Sequence, residues 1–227
     1  MSAGLIAAAL GIAQGARHAL EPDHLAAVST LAQERPGPRG GFLVGASWGV
    51  GHTLSLLLVG GTLAAFEAEL PVRAAAIFEL LVAVMLVVLG VRAVWLSLQE
   101  GRAGHEHAHR HGPMQHVHAA PVAHLHAGRW TLSTRPLVIG MVHGLAGSGA
   151  ISALVLARLP GVASRLMFIA LFGLGSILAM AAMSAVAGAP LVGLRRAPVW
   201  AARLMLTAGL MSVGLGLWWG WAALQVA

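Results

Sequence analysis

His18-Ala-Leu-Glu21-Pro22-Asp23-His24 sets two imidazoles and two carboxylates within seven residues of an otherwise apolar run. Asp23 is the only aspartate in the chain. Ionisable groups at membrane depth are costly and usually mark an ion or substrate path. Imidazole with carboxylate suits divalent first-row transition metals. In an unbroken helix His24 lies about 240° round from His18 and Asp23 about 140° round, so the ligands diverge. Pro22 has no N–H, and its ring clashes with the carbonyl of His18, four residues back. The expected result is a break that frees this carbonyl and turns the flanking side chains toward one point, as discontinuous helices do at transporter ion sites. The alternative is a helix that ends near Pro22 with its polar residues at the membrane interface.

The composition around this stretch excludes a soluble domain. Mean hydropathy is +0.79 and charged residues make up 10% of 227, against about 25% for a typical soluble domain. The net charge is +6. All the basic residues are arginine, and most sit between apolar runs, which reads as a positive-inside pattern and not as a nucleic-acid surface. With no cysteine, disulfides and thiolate metal sites are excluded. The first apolar run lacks a basic leader and runs into Arg17-His18, so it reads as part of the mature protein and not as a signal peptide.

A bilayer-spanning helix needs about 20 mainly apolar residues. Six segments qualify: Leu5–Leu31, Gly41–Phe66, Ala74–Leu98, Pro136–Ala157, Leu166–Leu191 and Val199–Leu224. The predicted fold is an all-α polytopic membrane protein. Residues 1–98 and 136–227 form three-helix halves joined by a hydrophilic linker over 99–135.

The halves match each other in sequence. His18-Ala-Leu-Glu aligns with His143-Gly-Leu-Ala at an offset of 125. Trp48-Gly-Val-Gly-His52 aligns with Phe172-Gly-Leu-Gly-Ser176 at 124, and Val87-Val-Leu-Gly-Val91 with Val213-Gly-Leu-Gly-Leu217 at 126. An odd number of helices per half inverts the second half relative to the first, the arrangement of many secondary transporters. Arg35, Arg39, Arg195, Arg196 and the linker arginines fall on one side, and mainly Arg73, Arg158 and Arg165 on the other. The bias predicts a cytoplasmic linker and outside termini.

Further candidates follow from the same pattern. In Gly49-Val-Gly-His52-Thr the small residues let another helix approach, and His52 is then a ligand, a proton carrier or a core histidine bonded to a carbonyl. His143, the repeat mate of His18, is a ligand or an outer partner to one. Its half lacks the acidic residues, so the site is expected to be asymmetric. Glu21, Glu79, Ser148 and Ser176 are accessory candidates, though serines in apolar helices often bond only their own backbone. Glu79 is either a proton carrier, a partner for Arg17 or Arg73, or an interfacial charge. Glu67 and Glu69 read as ordinary loop charges.

The linker carries His105, His107, His109, His111, His116, His118, His124 and His126. Alternating histidines with Gly and Pro read as a metal-binding or metal-sensing tract, whose binding should weaken as pH falls through about 6.5. It lies outside the membrane segments and so is not the translocation site.

The stretch Arg17-His18-Ala-Leu-Glu-Pro-Asp23-His24 resembles the His-x4-Asp-His signature of the nickel/cobalt transporter family. Gly51-His52-Thr resembles the family's second motif. The segment around His143 is similar to that of the short UreH-type membrane members. The resemblance spans nearly all the chain outside the linker. It implies metal recognition by His18, Asp23 and His24, with His52 in support. Longer family members have about eight helices and aspartate–alanine where this chain has Glu21-Pro22. No counterpart of their later acidic motifs is found, and the family with its relatives includes both uptake and efflux proteins.

These readings together predict secondary, non-ATP transport of Ni²⁺ or Co²⁺ across a prokaryotic cytoplasmic membrane, the ion being substrate and not cofactor. No phosphate-binding loop is present, and no enzymatic activity is expected. Expected partners are the divalent ion and the bilayer, with nickel-enzyme maturation factors and a second copy of the chain as further candidates and nucleic acid excluded. The rivals are a membrane accessory protein supplying nickel to enzyme maturation, an intramembrane zinc enzyme, and an exporter of another solute.

Overall fold

The computed structural model describes residues 3–35, 37–100, 124–127, 130–159, 161–194 and 197–225. The chain forms α1 (Ala3–His18), α2 (Pro22–Leu31), α3 (Pro38–Ser55), α4 (Gly61–Ala65), α5 (Val72–Glu100), α6 (Thr134–Arg158), α7 (Val162–Leu194) and α8 (Pro198–Leu224). Among the described residues, four stretches are long and apolar enough to cross a membrane: Pro38–Ala65, Val72–Gln99, Val162–Gly193 and Val199–Leu224. Exposed tryptophans stand at both ends of α8, Trp200 at one and Trp218 and Trp221 at the other. At 1.5 Å per residue they are about 27–32 Å apart, the thickness of a hydrocarbon core with its aromatic belts.

The first apolar run breaks at residues 19–21. Glu21 is extended (φ −66°, ψ 152°) and Pro22 opens α2. Proline disfavours helical geometry in the residue before it and is well suited to a first helical position. One expectation is corrected here. The carbonyl of His18 is not freed, because the Glu21 N–H donates to it at 3.0 Å and the Leu20 N–H donates to Arg17 at 3.0 Å. A tight turn takes up what the proline cannot satisfy.

Glycines set the helix directions by allowing backbone to meet backbone. A Cβ at Gly41, Gly45 or Gly49 would strike α7 at Ser184, Met180 or Ile177 respectively, so α3 and α7 are antiparallel. A Cβ at Gly140 would overlap the Trp48 carbonyl and one at Gly144 the His52 carbonyl, so α3 and α6 run in parallel. By the same reading α1 parallels α7, with Gly15 on Phe172, and α5 opposes α8, with Gly90 on Gly209 and Gly216 on Ala83. Side chains add cross-links: Thr53 donates to the Gly173 carbonyl, Ser55 to Met141 and Ser212 to Leu86.

The bundle therefore has two ends. The linker face carries residues 32–35 and 37, the end of α5, the start of α6, the end of α7 and the start of α8. The far face carries the starts of α1, α5 and α7 and the end of α8. Within the linker, β1 (His124–Ala127) and β2 (Trp130–Ser133) form an antiparallel hairpin, pairing Ala127 with Trp130 and His124 with Ser133. The strand formers Trp130, Thr131 and Leu132 favour it. Glu67 is not an ordinary loop charge. It accepts a hydrogen bond from the buried guanidinium of Arg165 at 2.9 Å, and Arg165 also donates to the carbonyls of Leu159 and Ala64.

Candidate metal centre

Five of the sequence candidates meet halfway along the bundle. His18 ends α1, Asp23 and His24 stand in the first turn of α2, His52 lies near the end of α3, and His143 lies on α6. The break lets α1 and α2 offer side chains to one point. Gly144, seated on the His52 carbonyl, draws α6 and α3 together there. A π-helical turn, Leu56–Gly60, follows His52, a distortion often found at functional sites.

Asp23 organises the cluster. The His24 Nδ1–H donates to its Oδ1 at 3.0 Å and the His143 Nε2–H to its Oδ2 at 2.7 Å. At the other edge the His18 Nδ1–H donates to Glu21 at 3.0 Å, and His18 Nε2 lies 3.4 Å from His52 Nε2. The rings are tightly gathered, with centroids 4.2 Å apart for His24 and His143 and 4.5 Å for His18 and His24.

Two groups have ligand atoms close enough for one ion, His18/His24/His52 and Asp23/His24/His143, all within 4.8 Å in each. They share His24. Because His24 gives its Nδ1–H to Asp23, its Nε2 keeps the lone pair, and that atom is buried without a partner. His52 Nδ1 and His143 Nδ1 are buried without partners as well. Buried polar atoms are normally hydrogen-bonded. His24, His52 and His143 each keep an open imidazole nitrogen, and His24 belongs to both ligand groups, which fits a site for a metal ion. A carboxylate that fixes the tautomer and tilt of two rings is the usual outer support of such ligands.

A cavity of about 370 Å³ adjoins the cluster, and Gln14, Arg17, Glu21, Glu79, Gly147 and Trp219 are in its wall with His18, Asp23, His24 and His143. Glu79 thus shares one cavity with Arg17. Ser176 is elsewhere occupied: its hydroxyl donates to the carbonyls of Gly15 and Phe172, a packing role between α1 and α7. His105, His107, His109, His111, His116 and His118 lie outside the described residues, as do the side chains of His124, His126 and Ser148.

Two aromatic neighbours of the cluster, Trp48 and Phe172, are not among the sequence candidates. The Trp48 ring lies 5.5 Å from His24 and 5.6 Å from His143, and Phe172 lies 5.3 Å from His18. The signal was present, since these two aromatics open the paired motifs at offset 124.

Over 181 residues the chain is 34% identical to the protein named Urease accessory protein UreH of Bacillus sp. (strain TB-90), a match covering 80% of this chain and 75% of that one. No family model matches the chain, and no solved structure matches it.

Proposed function

The chain belongs to the family of the urease accessory protein UreH, and from that premise we propose that it carries a divalent transition-metal ion, Ni²⁺ or Co²⁺, across the cytoplasmic membrane of a prokaryote. His18, His24 and His52 bind the ion, while Asp23 holds His24 and His143 in register. The observation that carries this reading is the pair of ligand groups sharing the buried His24 at a helix break. Neutral imidazoles with carboxylate favour nickel over cobalt in affinity.

The scaffold we propose is six crossings in two inverted halves, working by alternating access without ATP. Matching contacts support it. Gly15 on Phe172 and Gly140 on Trp48 are one contact repeated at offsets of 125 and 124, and Gly175 on Ile12 repeats as Gly51 on Leu137. The parallel and antiparallel pairs described above require α1 and α6 to point in opposite senses. The linker lies on the cytoplasmic side by its arginine neighbours, and its histidines buffer or sense the ion.

The test is uptake of radioactive nickel and cobalt into proteoliposomes, with and without a proton gradient, for the wild type and His18→Ala. Flux that depends on His18 is expected. The relative's name favours a second reading, an accessory protein supplying nickel to metalloenzyme maturation. Metal binding without flux would select it.

A further inference from the structure

The histidine cluster has a cavity on one side and close apolar packing on the other. On the far-face side lies the cavity. Its wall takes Gln14 and Arg17 before the helix break, Ala146 and Ile151 beyond His143 on α6, and Glu79 and Trp219 from the far-face ends of α5 and α8. None of its wall comes from α3, or from α2 beyond His24. On the linker-face side α2, α3, α5 and α7 meet in an apolar block. Leu31, Val44, Trp48, Leu86 and Met180 are each at most 1% exposed and form one packed cluster.

We infer that the ion reaches the cluster from the far face, through this cavity, and that Leu31, Val44, Trp48, Leu86 and Met180 seal the path to the linker face. The inference rests on the proposed metal-ion transport and adds the side from which the site is loaded. Polar atoms along the cavity wall replace the water an ion sheds, whereas the one polar side-chain atom among these five residues, Trp48 Nε1, is a hydrogen-bond donor and cannot ligate a cation, so an unpaired charge there is heavily penalised. The cavity is not a packing flaw, since true voids in cores are apolar and this wall carries Gln14, Arg17, Glu21 and Glu79.

A counterpart to the seal stands on the cavity side. Leu56, Ile151, Ile169 and Phe172 form a second, smaller apolar cluster. At offset 124, Leu56 corresponds to Met180 and Trp48 to Phe172. Phe172 and Ile151 line the cavity in this conformation. On this inference they are the residues that would close over it when the linker side opens.

The chain has no cysteine, so single cysteines report access cleanly. Glu69→Cys, in the exposed turn before α5, marks the far face, and Ala108→Cys marks the linker. Ala146→Cys probes the cavity and Val44→Cys the seal; Gln14→Cys repeats the cavity probe should Ala146→Cys fail to fold. Each is exposed to a membrane-impermeant maleimide in right-side-out and inverted vesicles. The cavity cysteines should react from the side that labels Glu69→Cys, and Val44→Cys should stay unlabelled from the linker side. Ni²⁺ or Co²⁺ at ten times its dissociation constant should slow cavity labelling about tenfold. Cavity labelling from the linker side, or Val44→Cys reacting there as fast as Ala108→Cys, would overturn the inference. The expected sidedness without protection by either metal would instead refute the metal as cargo, leaving the one-sided cavity without its ion.

Discussion

Asp23 and His143 meet at 2.7 Å between Oδ2 and Nε2, although they lie 120 residues apart on different halves of the chain. The only aspartate in the protein thus ties the broken first helix to its repeat mate. Its other oxygen holds His24, so one carboxylate sets the orientation of two rings.

Asp23→Asn keeps the shape of the side chain and removes its charge. Outer-partner carboxylates of this sort commonly contribute about 10–100-fold in metal affinity. The variant should insert normally and bind Ni²⁺ more weakly by a factor in that range, measured by titration calorimetry on purified protein. Combined with His143→Ala, the loss should fall well short of the sum of the single losses, because both changes break the same contact.

Gly140→Ala and Gly144→Ala should lower the thermal unfolding midpoint sharply. In each the added methyl meets a carbonyl of α3, at Trp48 or His52, and backbone cannot yield as a side chain would. Gly214→Ala is the comparison: nothing lies within 4 Å of its Cβ position, so the better helix former should be neutral or slightly stabilising. Equal effects at the three positions would count against the close α3–α6 approach.

Pro22→Ala restores an N–H and lets the helix run through the break. The ligands then return toward the divergent arrangement of a continuous helix. Metal affinity should fall although no ligand has been touched. Pro198→Ala, at the start of α8, should leave affinity unchanged in the same titration.

Arg165→Leu should destabilise the fold more than Glu67→Gln. The Glu67 side chain is 68% exposed against 10% for Arg165, so the ion pair itself is largely screened. Arg165 also satisfies the carbonyls of Leu159 and Ala64, and those contacts survive when only Glu67 is changed. Thermal melts in detergent would rank the two, and the reverse order would contradict this division of roles.

The convergence of His18, Asp23, His24, His52 and His143 was partly legible before any coordinates. Pro22 announced a break, and His18 and His143 stood at the repeat offset. What the spacing did not reveal was how the break is satisfied. Proline chemistry identifies the lost bond, but the turn that takes it over depends on local geometry at Leu20 and Glu21. Trp48 and Phe172 were hidden for another reason: an aromatic in an apolar helix reads as core, and only the crossing of α3, α6 and α7 brings those rings against imidazoles. Arg165 and Glu67 are far apart in sequence and each looks like a surface charge alone. The β1–β2 hairpin was obscured by the histidine-rich composition around it.

The cavity wall holds three carboxylates, Glu21, Asp23 and Glu79, against one guanidinium, Arg17. This surplus of acidic over basic side chains attracts cations and repels anions, so the chamber sorts ions by the sign of their charge.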